Sequence, residues 1–262
     1  MSNLARDDYQ ALVLTGNPIG YWPLRENAED KCDHAHHDGQ YHGAPEFIAD
    51  ATGGWVRLDG SSYIEVPSNP VFSQPTSVNG LTVEVWMQAH SLHYPNVKKY
   101  IHWLGKGESE MQERAFRLYS DDGAEPCRVS AYIWNKEGRE GAGAHLNSGI
   151  SCNQWMHLVA CFQPGNARNT DRGVLIYKNG EFQQGPPSPT TLFEHSPRWS
   201  IFPTAGNAPL RFGTRSDPSS SNRPNCLGGG LAEIAIYQRV LDESEIESHY
   251  QAGSMCFSQD CQ

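Results

Sequence analysis

An all-β sandwich with short terminal helices is the fold the sequence predicts, and three observations carry it. From Trp55 onward apolar and polar residues alternate with period two over most of the chain. Turn dipeptides punctuate the alternation at Asp59-Gly60, Asn79-Gly80, Asp122-Gly123, Pro164-Gly165 and Asn179-Gly180. No regular alternation of strand and helix occurs, which removes the parallel-sheet classes.

The elements follow in order. Asp7 to Leu14 reads as a short helix capped by Asp7 and stopped by Gly16 and Pro18. After Trp22 a polar, His-rich stretch to about His42 reads as a loop. Strands are expected at Trp55–Leu58, Tyr63–Val66, Leu81–Gln88, Tyr100–Leu104, Ala115–Ser120 and Val129–Trp134. Four more fall at Trp155–Phe162, Val174–Lys178, Leu210–Gly213 and Leu231–Tyr237. Between Val174–Lys178 and Leu210–Gly213, the stretch from Gly185 to Pro209 is too long for a hairpin and reads as a surface loop. A second helix has a specified start: Asp242 caps it, Glu245 closes a capping box, and Leu241 with Ile246 forms the staple; Gly253 is expected to end it. With no internal repeat and no linker, residues 1–262 read as one domain with its core at about 9–253.

Composition narrows the function. The 262 residues carry 20 Lys and Arg against 30 Asp and Glu, a net charge of -10. Nucleic-acid binding needs clustered cations, so it is not expected. No apolar run approaches the roughly 20 residues of a membrane span. The first residues lack the apolar core of a secretory leader, and no Asn-x-Ser/Thr acceptor occurs. The expectation is a cytoplasmic protein, one exported by another route, or one whose leader lies outside this chain; oligomeric state stays open. The seven cysteines are an odd number with no C-x-x-C spacing, which argues against zinc. Cys256 and Cys261 could close a small loop or stay as free thiols.

Six motifs, in order, resemble the laminin-G-like, concanavalin A-like lectin/glucanase jelly-roll domains. The start Asn17-Pro18-Ile19-Gly20-Tyr21-Trp22-Pro23-Leu24-Arg25-Glu26 is similar to that family's opening, and Asp33 to Gly43 to its polar first loop. Leu58-Asp59-Gly60 with Tyr63 to Pro67, and Leu81 to Trp86, are similar to its first core strands. Trp155 to Ala160 with Ile176 to Glu181 resembles its central hairpin, and Gly230 to Leu241 its closing strand. The resemblance implies a concanavalin A-like jelly roll whose concave sheet is the usual ligand groove. It does not fix function, because the fold carries lectins, lyases, hydrolases and interaction modules.

Strand parity sorts the side chains. Val83, Val85, Phe116, Leu118, Val129, Ala131, Leu158 and Phe162 go to the core. Glu84, Trp86, Arg117, Tyr119, Tyr132, Trp134 and His157 then point away from it and are taken as one shared face. Aromatic rings there can stack on sugar rings while Arg and Glu fix hydroxyls, so carbohydrate is the expected partner. The competing account is that the loop after Gly185, with Phe193, Trp199 and Phe202, covers these rings. A lectin-like binder is therefore expected. The alternatives are an enzyme on the same face, a lyase or hydrolase using Glu84, His157, Tyr119 and Tyr132, or a protein-interaction module. The paired-carboxylate mechanism of laminarinase-type hydrolases is not expected, since Glu84 is followed by Trp86 and lacks further carboxylates on its strand.

Metal sites have two candidates. Asp33, His34, His36, His37, Asp38 and His42 are dense in transition-metal ligands, but density without fixed geometry makes no site. The resemblance implies a structural calcium ion, with Glu26, Asp33 and Glu233 as candidate ligands. The family pattern usually has Asp where Ala232 stands, which weakens that set. Lys106 between two glycines lacks the rest of a phosphate loop. Arg211 and Arg215 read as edging the groove or as ordinary salt-bridged surface.

Overall fold

The computed structural model describes residues 2–33, 36–49, 53–73, 80–94, 100–107, 112–119, 127–134, 141–146, 150–162, 174–183, 206–215 and 226–257. Two antiparallel sheets stack face to face, and two terminal helices lie on the outer side of one of them. The first sheet contains β1 (Gly20–Trp22), β3 (Glu46–Ile48), β4 (Trp55–Asp59), β6 (Leu81–Ala89), β11 (Met156–Phe162), β12 (Val174–Lys178), β13 (Glu181–Phe182) and β15 (Gly228–Tyr237). Its order is β13-β12-β11-β6-β15-β4-β3, with β1 pairing β15. The second sheet orders β10 (Gly141–Leu146), β9 (Arg128–Trp134), β8 (Gln112–Tyr119), β7 (Tyr100–Gly107), β14 (Leu210–Phe212), β5 (Tyr63–Val66) and β2 (Gln40–His42).

The core between the sheets follows the period-two pattern. Val83, Val85, Leu158 and Phe162 of the first sheet meet Ile64, Leu118, Ile133 and Phe212 of the second in one apolar cluster. All ten expected strands are present, with ends shifted by up to three residues. Strands β1, β2, β3, β10 and β13 were not expected. Four of them are two or three residues long, too short for an alternation to be read. The fifth, β10, is Gly-Ala-Gly-Ala-His-Leu, whose small residues carry no strand signal.

β6 is buried along all nine residues. One side faces the sandwich core; the other is covered by α1 (Ser2–Thr15) and α2 (Glu243–Phe257), which pack against each other. A second apolar cluster fills that layer, with Tyr9 and Val13 from α1, Ile246 and Phe257 from α2, and Trp86, Ala235 and Tyr237 from the sheet.

The helix ends differ from expectation in two places. Asp7 is not a cap, because α1 begins at Ser2; the residue falls within the helical segment, and its exposed carboxylate pairs with Arg25 at 3.2 Å. The helix does stop before Gly16 and Pro18, where Asn17 takes the left-handed conformation with φ 55°. In α2 the capping box forms as expected: Glu245 N donates to Asp242 Oδ1 at 2.9 Å, and Asp242 N donates to Glu245 Oε2 at 3.0 Å. Gly253, however, does not end α2, which runs on to Phe257. Its missing side chain makes room for the Trp86 indole, since a Cβ there would fall 2.6 Å from Cζ2.

Candidate functional site

Strands β6 and β11 are neighbours, with His157 directly opposite Trp86 and Glu84 two pairs further on, opposite Val159. Glu84 is fully buried at the centre of a polar cluster drawn from five elements. Tyr9 of α1 donates its hydroxyl to Oε1 at 2.9 Å, and Tyr237 of β15 donates to Oε2 at 3.2 Å. His157 Nε2 stands 2.8 Å from Oε1, and His249 Nδ1 of α2 stands 2.9 Å from Oε2. A carboxylate only accepts, so each of these ring nitrogens carries a proton.

Burial pushes the Glu84 carboxyl up, but the His249 charge and hydrogen bonds from His157 and His249 outweigh it and hold it well below the usual carboxylate range. Burial pushes His249 down, and the Glu84 carboxylate more than offsets this, leaving the imidazole raised. Burial and then Glu84 push both Tyr9 and Tyr237 well above the ordinary phenol value, so they remain protonated donors.

Glu233 forms a second buried cluster. A β-bulge between Ala232 and Ala235 breaks the alternation of β15, and Glu233 sits there with φ 53°. The bulge turns its side chain toward α1. Arg6 Nη1 donates to Oε1 at 2.5 Å, Arg25 Nε donates to Oε1 at 3.2 Å, and the Tyr21 hydroxyl donates to Oε2. Of the calcium candidates, Glu26 and Asp33 are exposed. The three residues do not fit a calcium ion, because Glu233 already neutralises two guanidinium groups that a cation would have to displace. Among the described residues no group of three or more His, Cys, Asp or Glu is placed to hold a metal.

The histidine-rich stretch is used ring by ring. His37 Nδ1 is 3.0 Å from the buried Asp30, and its Nε2 is 3.2 Å from Asn69 Nδ2. His42 stacks on Tyr63 at 4.5 Å, while His36 is exposed and His34 lies outside the described residues.

The single shared face expected from parity is in fact two faces on opposite sides of the molecule. Glu84, Trp86 and His157 belong to the first sheet; Arg117, Tyr119, Tyr132 and Trp134 belong to the second. Parity tells which side of a strand leaves the core, but not which sheet the strand joins. The proposed acid–base set of Glu84, His157, Tyr119 and Tyr132 is divided accordingly.

Neither group is an open aromatic platform. Trp86, Tyr132 and Trp134 are 2%, 4% and 2% exposed, and Glu84 and His157 are sealed. The cover on the first face is the helix pair. Tyr132 stacks on Trp134 at 5.7 Å and lies flat against Gly143, where a Cβ would fall 2.1 Å from its ring. Arg117 is opposite Ser130 and His102, and Tyr119 opposite Arg128 and Tyr100; both side chains lie outside the described residues. The loop carrying Phe193, Trp199 and Phe202 also lies outside them. Lys106 is buried and donates to the Gly206 carbonyl at 3.0 Å, while Arg211 donates to Glu65 at 2.8 Å and to the Arg215 carbonyl at 3.2 Å.

One recess does combine rings with polar groups. A cleft of about 250 Å³ opens between the C-terminal half of α2, the β12–β13 turn and the residues entering β11. Trp86, Trp155, Tyr250 and Phe257 supply rings, and Gln154, Asn179 and Ser254 supply polar groups. Trp86 stacks on Phe257 at 4.5 Å and on Tyr250 at 6.0 Å, and Trp155 packs on Phe257 at 4.8 Å and on Trp55 at 5.4 Å. Trp155 and Tyr250 remain partly exposed. Asn179 and Gly180 both have positive φ, 53° and 79°, which is the two-residue turn that Asn-Gly favours. That turn fixes the Asn179 side chain: its Oδ1 accepts the His157 amide at 3.0 Å, which leaves Nδ2 for the cleft. The Trp86 Nε1 is buried without a hydrogen-bond partner among the described residues. Sequence reasoning named Trp86 but missed the other lining residues, because Tyr250 and Ser254 lie on a helix and Gln154 and Asn179 in turns.

A second recess of about 290 Å³ lies beside the Glu233 cluster, lined by Asp7, Gln10, Arg25, Glu26 and Lys31 among others. Arg25 is already committed to Glu233, Asp7 and the Arg6 carbonyl.

Solved structures repeat this architecture. Domain 4 of AbnA, an extracellular GH43 arabinanase from Geobacillus stearothermophilus solved with arabinotriose, is 15% identical, with a TM-score of 0.59 over 89% of this chain and 98% of that one. Botulinum neurotoxin type C, for which passage into cells depends on interaction with two ganglioside molecules, is 13% identical, with a TM-score of 0.61 over 92% of this chain and 53% of that one. The binding domain of Paraclostridial Mosquitocidal Protein 1 is 16% identical, with a TM-score of 0.61 over 90% and 52%. The chain thus spans about half the length of these toxin structures, and at such identities the likeness is one of fold. No curated protein sequence matches it. The family model of the concanavalin A-like lectin/glucanases superfamily matches residues 58–247, from the end of β4 into α2, and with the stacked sheets it shows that the chain belongs to that superfamily.

Proposed function

We propose that the chain is a lectin-like carbohydrate-binding module, non-catalytic, that holds a glycan in the cleft between α2 and the β12–β13 turn. The observation that carries the reading is the make-up of that cleft: partly exposed aromatic rings beside amide and hydroxyl groups, in one recess on a rigid frame. The arabinanase domain solved with arabinotriose and the ganglioside-dependent toxin lend support from the same fold. Catalysis has less support. Glu84 and His157 are sealed, hydrogen-bonded to each other, and sit on a different sheet from Tyr119 and Tyr132.

The test is a glycan array probed with the full chain, with product detection on every hit. The expected result is binding without turnover, weakened at least tenfold by Trp155→Ala, with the melting temperature within a few degrees of wild type. Turnover of a bound glycan, or no binding to any glycan, overturns the proposal.

A further inference from the structure

The geometry points to a narrower ligand class: the cleft takes a single uncharged pyranose ring of a glycan and discriminates against uronic and sialic acids. This inference rests on the carbohydrate reading above and adds size, charge and mode of contact.

Size comes first. Pockets that engulf drug-sized ligands begin at about 300 Å³. At about 250 Å³ the cleft has room for one sugar ring.

Charge comes second. No acidic or basic side chain lines the cleft among the described residues. A sugar carboxylate placed there would lose hydration without gaining a cation, which is costly. Neutral hydroxyls fit better. Asn179 Nδ2 is a donor, its Oδ1 being held by the His157 amide. Ser254 donates its hydroxyl to the Gln251 carbonyl at 2.9 Å, so toward the cleft it can only accept. A donor and an acceptor in one recess match vicinal sugar hydroxyls, which do both.

Contact mode comes third. Trp155 and Tyr250 are partly exposed rings lining the recess, one entering β11 and one on α2. The apolar face of a pyranose can lie on either ring while its hydroxyls reach the amides.

The experiment titrates the full chain with methyl glycosides of neutral hexoses, methyl glucuronide and methyl sialoside. Ligand-observed NMR and tryptophan fluorescence follow binding, since two of the rings are tryptophans. Two mild variants accompany Trp155→Ala: Gln154→Ala at an exposed position, and Tyr250→Phe, which removes one hydroxyl. Expected are saturable binding of at least one neutral glycoside, at least tenfold weaker binding of the acidic ones, and a loss of about twofold to tenfold for Tyr250→Phe and Gln154→Ala. Acidic glycosides binding as tightly as neutral ones overturn the charge argument. Array hits that survive all three variants unchanged move the site elsewhere, overturning the inference while carbohydrate binding itself stands. Silence of both the array and the glycosides overturns the two together.

Discussion

His249 and Glu84, 165 positions apart in the chain, meet beneath the C-terminal helix with the His249 Nδ1 at 2.9 Å from one carboxylate oxygen and 3.1 Å from the other. This contact ties α2 to the centre of the first sheet, and Tyr9 brings α1 to the same carboxylate. A carboxylate surrounded by two imidazoles and two phenols looks like a catalytic arrangement when only its residue types are known. Its geometry makes it a fastening: every donor points at Glu84, and no face of the carboxylate is left for a substrate.

Glu84→Ala should therefore destabilise the whole fold. Four donors lose their acceptor in a layer without solvent access, and removing one partner of a buried charge pair costs about 3–5 kcal/mol. Urea unfolding followed by tryptophan fluorescence checks this. A loss below about 1 kcal/mol would show that the cluster does not fasten the helices.

The same pair sets a pH dependence with a defined sign. His249 is raised above its ordinary 6.5, so its contribution is fully present below that value and fades as pH rises through the raised folded value. Glu84 is held below its ordinary 4.5, so its contribution is present above that value and is lost as pH falls toward the depressed one. Stability should be highest between the two and decline on both sides. In His249→Gln the decline on the alkaline side should flatten, and melting temperatures across pH 4–10 would show it.

How much of this was legible follows from what alternation encodes. The inward positions of β6, β9 and β11 were readable because their side chains obey a period of two and meet one core. Assigning Glu84 and Tyr132 to one face failed because alternation carries no record of sheet membership; that depends on pairings such as β6 with β15, far apart in the chain. Glu233 was unreadable for a local reason: the bulge puts it on the same outer side as Ala232, which strict alternation forbids. The cover of α1 and α2 over the first sheet had a signal that went unused. His249 and Tyr250 follow the apolar Ile246 at helical spacing, which places polar and aromatic groups on a buried flank.

Thiol reactivity offers a test of the burial pattern. No disulfide joins any two of the six described cysteines, and of these six only Cys152 is exposed. Burial pushes the Cys161 and Cys226 thiols up to about 11, so both are buried and protonated near neutral pH. Native protein treated with a thiol reagent at pH 8 and mapped by mass spectrometry should be modified at Cys152 long before Cys32, Cys127, Cys161, Cys226 or Cys256. Rapid labelling of Cys161 would mean that the helix layer opens easily.

Gly253 sets intrinsic helix propensity against packing. In an exposed helix interior, Gly→Ala gains about 1 kcal/mol. Here the new methyl would fall 2.6 Å from Trp86 Cζ2 and 2.7 Å from Nε1. The indole cannot retreat, because Phe257 stacks at 4.5 Å and His157 lies at 5.1 Å. Packing should win: overfilling a tight core costs about 1–3 kcal/mol, so Gly253→Ala should lower the melting temperature despite its better propensity. The indole also lines the cleft proposed to hold a glycan, so on that proposal the same substitution should weaken glycan binding by more than its effect on folding explains at a temperature where the variant is fully folded. A variant as stable as wild type would mean that α2 shifts freely over Trp86, and the cleft would then lack the rigid floor on which its selectivity depends.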